Sequence, residues 1–289
     1  MKVTIIGAAG KMGEWFTRYF AEKKNEIVVY DVNYAKVEKI AKELGAKNVE
    51  NMISAVKEAD VILIAVPISI TADTVLEVAK LAKKDAIIVE IASFKERIIN
   101  ACKKTMKKNI IFLSVHPMFG PGAKNLLHSK MIVVTVMDSE QEVEEAKRIF
   151  PEADVVSASA KEHDEAMATI LSLTYFINFT YAFIMSSRDL GSLRRLSGTT
   201  FNIQLTLAES ILHNDPEFLA TLQLDNNYAA KEVQKFVKVA EYLENLTFQN
   251  DKKKLISKLR TLKRTLEKDK DYNTAYKKMY EMIDILLMQ

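Results

Sequence analysis

The stretch that decides the fold is VTIIGAAGKMGEWF, residues 3–16 of the 289-residue chain. An apolar run, a glycine-rich turn and an amphipathic segment follow one another, which predicts strand, turn and helix. The glycines are spaced GxxGxxG, and their missing Cβ atoms allow a tight turn and a close backbone approach to a pyrophosphate. The free N–H groups at the helix start favour phosphate binding. This context predicts a dinucleotide site. The cofactor-binding residues predicted here are Gly7, Ala9, Gly10, Lys11 and Met12.

Outward from this stretch, short Val- and Ile-rich runs alternate with helix-like segments up to about residue 156. Nearly continuous apolar runs are typical of strands buried on both faces of a parallel sheet, so the pattern predicts a doubly wound α/β domain. The predicted strands are 3–6, 27–30, 61–66, 86–91, 110–115, 131–136 and 154–158.

From about residue 160 the strand-like runs stop and long helical periodicity begins. We expect a dinucleotide-binding domain over 1–158 and an all-helical substrate and dimerisation domain over 159–289. The segment 173–185, LTYFINFTYAFIM, is apolar nearly all round and must be buried in a core or against another subunit. A homodimer formed through the helical domain is therefore predicted.

Composition excludes several other classes. Lys and Arg exceed Asp and Glu by only 41 − 38 = 3, and the basic residues are interspersed with acidic ones, so no nucleic-acid partner is expected. We count no apolar run of the roughly 18 residues that a membrane span needs, and residues 1–7 are too short for a signal peptide. The single cysteine, Cys102, favours a cytoplasmic setting. No metal-binding motif occurs, so no metal is expected.

Two further positions bear on the cofactor. Asp31 ends the second predicted strand, 18 residues after Gly13, where an acid can accept the ribose hydroxyls of the adenosine and repel a 2′-phosphate. This favours NAD, although the nearby Lys36 leaves NADP open. Val66 and Pro67 end the third predicted strand and are expected to face the cofactor, because ligands bind at the carboxyl ends of parallel strands.

Catalytic candidates follow the next two predicted strands. His116, in SVHPMFGPG, has an ordinary pKa near neutrality and can accept a proton from an alcohol. Gly120 and Gly122 are expected to let its loop fold back closely. Ser93, in EIASFKE, can orient a substrate hydroxyl or cap the following helix. His163 and Asp164 open the first helix of the second domain, where they either face the substrate or cap the helix. His128 follows no motif and is expected to be exposed.

Together GAAGKMGEWF, IASFKE, SVHPMFGPG and KEHDEAMATI resemble prephenate dehydrogenase over residues 1 to about 225. The resemblance implies a Rossmann domain joined to a helical dimerisation domain. It also implies oxidative decarboxylation of prephenate to 4-hydroxyphenylpyruvate in tyrosine biosynthesis, with NAD or NADP taking the hydride. By the same resemblance, His116 contacts the ring hydroxyl and draws off its proton, and Ser93 supports the histidine and the substrate.

The chain departs from the family pattern at two positions. Many relatives carry a further histidine where this chain has Tyr175, and an arginine that binds a substrate carboxylate where it has Ser210. A hydroxyl does not replace a guanidinium fork on a carboxylate. The residues considered for the substrate site are therefore His163, Tyr175, Arg194 and Arg195, with Arg188 as a further source of charge.

Because of these two departures, other functions remain possible. The substrate is prephenate or its relative arogenate, or the chain is another Rossmann oxidoreductase of the hydroxyacid dehydrogenase type. The long-helix lysine signature of that second group is not visible. A non-catalytic nucleotide sensor, which kept the fold and lost the substrate site, is the alternative from a different class.

Overall fold

The computed structural model describes residues 1–103, 110–127, 129–136 and 139–287. Within them the chain divides into two compact units, Met1–Met167 and Ala168–Gln289. The predicted division at 158 falls one short helix earlier than this one and stays a prediction. His128 lies outside the described residues.

The first unit is built on one eight-stranded sheet with the order β3-β2-β1-β4-β5-β6-β7-β8. The strands are β1 Lys2–Ile6, β2 Glu26–Tyr30, β3 Lys47–Asn48, β4 Val61–Ile64, β5 Ile87–Glu90, β6 Ile111–Pro117, β7 Lys130–Val134 and β8 Asp154–Ala158. Seven of them match the predicted runs. The two-residue β3 pairs with β2 at the sheet edge and is too short to give a hydrophobic signal.

The α/β fold class is confirmed, but one pair of strands breaks the parallel pattern. β6 and β7 are antiparallel, with His116 opposite Ile132. A parallel pair needs a crossover, usually a helix, and the residues between these strands include no described helix. The chain therefore returns directly.

Helices cover both faces of the sheet, which explains why the strands read as continuous apolar runs. The helices of the first unit are α1 Lys11–Glu22, α2 Tyr34–Leu44, α3 Met52–Val56, α4 Ile68–Leu81, α5 Glu96–Cys102, α6 Ser139–Ile149 and α7 Ala160–Met167. Val3 and Ile5 pack into one core with Phe16 and Phe20 of α1. Ile62 and Ile88 belong to the core on the other face, with Val75 of α4 and the buried Cys102.

The second unit is helical throughout its described residues. Its elements are a π-helical segment Ala168–Leu173, α8 Thr174–Met185, α9 Leu190–Leu196, α10 Thr199–Leu212, α11 Pro216–Leu224, α12 Ala229–Phe248, α13 Lys252–Leu266 and α14 Tyr272–Leu287. A turn separates α11 from α12, and in it the Asn226 side chain accepts the amide of Tyr228.

One long helical stretch is more apolar than the count of apolar runs indicated. Ala160–Met185 is long and apolar enough to cross a membrane by length and composition, with a mean hydropathy of 1.4 in its most apolar window. The count of apolar runs missed it because Thr, Ser and Asn interrupt the run without adding charge. The core helix of a soluble protein can meet the same criterion when it is mostly buried, and here 22% of that window is buried.

Candidate active site

The glycine turn after β1 can only be built with glycine at its first position. Gly7 has a φ of +84°, and a Cβ on it would lie 2.6 Å from the carbonyl oxygen of Ala65. Its amide donates to the carbonyl oxygen of Tyr30 at 2.9 Å. The turn is thus held between the ends of β2 and β4, with the backbone of its neighbours in close contact.

The third glycine brings α1 against the same turn. A Cβ on Gly13 would lie 2.1 Å from the carbonyl oxygen of Gly7, so no other residue fits without moving the backbone. Gly10 is the N-cap residue of α1 and, as a glycine, has no side chain that could cap the helix. Lys11 is exposed and Met12 half-buried at the helix start. A helix start that carries no capping side chain, next to a turn with no room for Cβ atoms, fits a dinucleotide pyrophosphate.

Asp31 lies beside this turn at the end of β2. Its carboxylate accepts the amide of Ala9 at 3.0 Å and the amide of Asn33 at 2.8 Å. These bonds hold the carboxylate next to the glycine turn, as an adenosine-ribose acceptor requires. Val66 and Pro67 follow β4 at the same edge of the sheet, and Val66 contacts the space that a Gly7 Cβ would fill.

The loop after β6 is anchored to α1. Phe119 packs against Trp15 with ring centroids 4.8 Å apart, and the Trp15 indole N–H donates to the carbonyl oxygen of Ala123 at 2.7 Å. The expected role of Gly120 and Gly122 was wrong. A Cβ on either would meet nothing within 4 Å, so the aromatic contact, not glycine, brings the loop close.

His116 lies within β6, and only 5% of it is exposed. β1, β4, β5 and β6 are consecutive parallel neighbours, so their carboxyl ends share one edge with the glycine turn. The His116 Nδ1 is 2.9 Å from the Nε2 of His163. Burial, then the nearby His163 and Lys95, lowers the pKa of His116 well below its ordinary value, which keeps the imidazole neutral.

His163, which contacts His116, forms a buried pair with Asp164. The His163 Nδ1 is 2.7 Å from Asp164 Oδ1, and burial lowers the pKa of His163 although Asp164 opposes the shift. Sequence reasoning placed His163 in the substrate site. In the structure its side chain is fully buried and both ring nitrogens contact protein groups.

Asp164 also closes the start of α5. Its carboxylate accepts the amides of Lys95 and Glu96, each at 2.9 Å. The expected capping role of Ser93 was therefore wrong. α5 begins at Glu96 after Lys95, and a carboxylate from α7 takes the place of a local cap. Ser93 is half-buried, two residues before Lys95.

A second buried network, missed in the sequence, lies under the site. The Lys95 ammonium donates to Glu90 Oε1 and to the carbonyl oxygen of Val115, each at 2.7 Å, with both side chains fully buried. Glu90 also accepts the Ser114 hydroxyl and the amide of Ala92. The signal was present: Glu90 is an acid inside an apolar strand, and such a charge needs a buried partner.

The remaining substrate candidates lie in the second unit. Tyr175 is half-buried in α8, and burial raises the pKa of its hydroxyl. Arg194 makes a forked contact with Glu209 at 2.6 and 2.7 Å, so its charge is already paired. Arg195 is exposed, and the Ser210 hydroxyl donates to the carbonyl oxygen of Leu207.

Comparisons with known proteins identify the family of this chain. The family model for the nucleotide-binding domain of prephenate dehydrogenase matches residues 17–159, and that for its dimerization domain matches residues 159–261. A probable arogenate/prephenate dehydrogenase of Methanocaldococcus jannaschii is 24% identical over 87% of this chain. The chain spans 58% of that relative's length.

Solved structures show the same fold. The prephenate dehydrogenase of Aquifex aeolicus, in complex with hydroxyphenyl propionate and NAD+, aligns with a TM-score of 0.73 at 19% identity, over 93% of this chain and 98% of the other. The Synechocystis arogenate dehydrogenase aligns with a TM-score of 0.70 at 17% identity, over 93% and 99%. With two consecutive family models covering residues 17–261, the chain belongs to the prephenate dehydrogenase family.

Proposed function

We propose that this chain catalyses the NAD-dependent oxidative decarboxylation of prephenate to 4-hydroxyphenylpyruvate, a step of tyrosine biosynthesis. The observation that carries the proposal is the neutral, buried His116 at the sheet edge that also bears the glycine turn. A neutral imidazole is the form that can accept a proton. The two family models support the same reaction class.

In the proposed reaction, prephenate loses a hydride and its ring carboxylate leaves as carbon dioxide, and the ring becomes aromatic. The proton that the ring hydroxyl gives to His116 returns to the product oxygen, so no proton is lost overall. NAD, when bound, accepts the hydride. Gly7, Gly10 and the start of α1 would hold its pyrophosphate, and Asp31 its adenosine ribose. His116 accepts the proton of the ring hydroxyl as the hydride leaves, and Ser93 orients that hydroxyl.

The substrate side of the proposal rests on the second unit. Among the arginines considered there, we favour Arg195 for a substrate carboxylate, because Arg194 is already paired with Glu209. Tyr175 is proposed to contact the substrate where relatives have histidine. The same unit is proposed to form a homodimer, as the description of its family model indicates. We propose a cytoplasmic location for an enzyme of small polar metabolites.

A direct assay tests the reaction. Purified protein is mixed with prephenate and NAD, and the absorbance of the reduced nicotinamide is followed. We expect turnover, and a fall of about 10²–10⁴-fold in kcat for His116→Asn with NAD binding retained. Absence of turnover with both prephenate and arogenate would contradict the proposed function. An unchanged rate for His116→Asn would show that His116 is not the catalytic base.

Arogenate is the second candidate substrate. The M. jannaschii relative is named as a probable arogenate/prephenate dehydrogenase. In this chain, Ser210 occupies the position where relatives have the carboxylate-binding arginine. The same assay with arogenate in place of prephenate compares the two values of kcat/KM. The larger value identifies the substrate.

The cofactor preference is tested at Asp31. We expect Asp31→Ala to raise the KM for NAD and to reduce the preference for NAD over NADP, because the carboxylate that binds the ribose and repels the 2′-phosphate is lost. Asp85→Ala, which removes an acid from a turn distant in sequence, is the control. A KM for NAD that does not change would remove Asp31 from the cofactor site.

A further inference from the structure

The structure contains a continuous line of hydrogen bonds that ends on the base of the proposed reaction. It runs from the amides of Lys95 and Glu96 to Asp164, from Asp164 to His163, and from His163 to His116. We propose that His163 and Asp164 are positioning residues that fix His116 in its Nδ1–H tautomer and leave its Nε2 free to accept the substrate proton. This inference rests on the proposed function for the identity of the proton donor alone.

The direction of the line follows from its fixed end. The two backbone amides can only donate, so the Asp164 oxygens accept from them. An ionised carboxylate has no proton, so Asp164 Oδ1 must also accept from His163, which puts the hydrogen of His163 on Nδ1. The orientation of the first histidine is thus set by the start of α5.

The second step transfers this orientation to His116. A neutral imidazole carries one N–H, and its other nitrogen is an acceptor. With its hydrogen on Nδ1, His163 presents Nε2 as an acceptor to the Nδ1 of His116, 2.9 Å away. His116 must then carry its hydrogen on Nδ1. Burial lowers the pKa of both histidines, which favours the neutral forms that this reasoning requires.

The arrangement has a consequence when His116 takes a proton. The imidazolium of His116 then donates from Nδ1 to His163, and the negative charge of Asp164 lies one imidazole away. Lys95 and Glu90 lie in the same buried region, but their opposite charges are paired with each other. Asp164 is hydrogen-bonded to His163 and so belongs to this line of bonds. Its negative charge therefore offsets the positive charge on His116.

The decisive variant is Asp164→Asn. The amide oxygen of asparagine can still accept the amides of Lys95 and Glu96, while its NH₂ group would face the Nδ1 of His163. His163 would then have to carry its hydrogen on Nε2, and His116 would have to do the same. In serine proteases the corresponding Asp-to-Asn change lowers kcat about 10⁴-fold through the wrong tautomer. We expect a fall of about 10²–10⁴-fold here, with KM for NAD unchanged.

The tautomers are measured directly by ¹⁵N NMR of the histidine rings in the full chain. We expect Nδ1–H at His116 in the wild type and Nε2–H in Asp164→Asn. A wild-type His116 with its hydrogen on Nε2 would overturn the proposal, as would an Asp164→Asn protein that keeps both the tautomer and the rate. Asp251→Asn, at another helix-capping aspartate that accepts the amide of Lys254 at 2.9 Å, is the matched control and should change neither.

A second variant covers the case in which Asp164→Asn does not fold. His163→Gln offers an amide oxygen that can accept the His116 Nδ1–H but severs the connection to Asp164. We expect the His116 tautomer to be retained and kcat to fall less than in His163→Leu, which has no acceptor. Equal losses of kcat in the two variants, with the same tautomer at His116, would contradict the positioning role. The NMR result stands whether or not prephenate is the substrate, so failure of the two proposals can be told apart.

Discussion

At the scale of single residues, the environment of His116 sets the pH range in which it can act. Burial beside His163 and Lys95 lowers its pKa well below the ordinary value of about 6.5. A base acts when unprotonated, so a lower pKa keeps it active at lower pH. We expect kcat/KM, which reports the free enzyme, to stay on its plateau as the pH falls below 6.5.

The measurement is kcat/KM for the preferred substrate between pH 5 and 8, with the stability of the protein checked at each pH. An acid limb centred at or above pH 6.5 would contradict the assignment of this shift to the catalytic base.

The buried pair of Lys95 and Glu90 gives a prediction about stability. Removing one partner of a buried ion pair leaves an uncompensated charge and costs about 3–5 kcal/mol. We expect Lys95→Met to lower the free energy of unfolding by about this amount, measured by urea titration. The double variant Lys95→Met/Glu90→Gln should recover part of the loss, since it removes both charges.

An exposed ion pair is the control for this comparison. Lys42 and Glu38 lie one turn apart on α2 at 2.9 Å, with the Lys42 side chain 76% exposed. Lys42→Met should cost less than about 1 kcal/mol, because solvent screens surface pairs. Equal losses in the free energy of unfolding for Lys95→Met and Lys42→Met would show that the buried pair stabilises the fold no more than an exposed pair does.

At the scale of elements, the glycine turn depends on the contact between α1 and the end of β1. A methyl group on Gly13 would lie 2.1 Å from the carbonyl oxygen of Gly7, so Gly13→Ala must displace either the turn or the helix. We expect weaker NAD binding, by at least tenfold in Kd measured by calorimetry, and a lower midpoint of thermal unfolding.

Gly120→Ala is the matched control for Gly13→Ala, because a Cβ at Gly120 meets nothing within 4 Å. It should leave NAD affinity within about twofold, since an added methyl in open space costs no contact. A Gly13→Ala protein that binds NAD as tightly as the Gly120→Ala protein would show that the turn tolerates the shift.

The strands could be predicted from sequence because the burial of a strand shows in the apolar character of its own residues. Ile62 and Leu63 are both buried, one on each face of the sheet, and that double burial is what makes the run read as continuous. The antiparallel return of β7 and the cap that Asp164 provides for α5 depend on contacts between segments distant in the chain. Ser93 was the local candidate for that cap, and no local pattern indicates that a carboxylate 68 residues beyond Glu96 takes the role.

The same distinction separates the parts of the site. His116 and the glycine turn were predicted as parts of the site because each lies at the end of an apolar run, where a parallel sheet binds its ligands. The links from His116 to His163 and from Lys95 to Glu90 required the tertiary structure, since side chains meet there from β6 and α7 or from β5 and the start of α5. Asp164, read as a residue at its own helix start, instead closes another helix.

At the scale of the whole molecule, the second unit exposes apolar side chains that an isolated chain leaves in water. On α8, Phe183 is 80% exposed and Ile184 is 52% exposed. Contiguous exposed apolar surface is typical of interaction sites, so we place the interface of the proposed homodimer here. With the proposed homodimer, we expect the wild type to be a dimer at micromolar concentration in light scattering.

The variant Phe183→Glu tests this interface. Losing a buried phenylalanine costs about 2 kcal/mol, and a two-fold dimer loses it twice, so the dimer Kd should rise by roughly 10³-fold. Ser187→Glu adds the same charge at an exposed polar position just past α8 and should leave the dimer intact. A wild type that is monomeric at micromolar concentration would contradict the proposed homodimer, and a Phe183→Glu protein as dimeric as the wild type would exclude Phe183 from its interface. If both expectations hold, the melting temperature of the wild type should also rise with protein concentration while that of Phe183→Glu does not, because only the dimer couples association to folding.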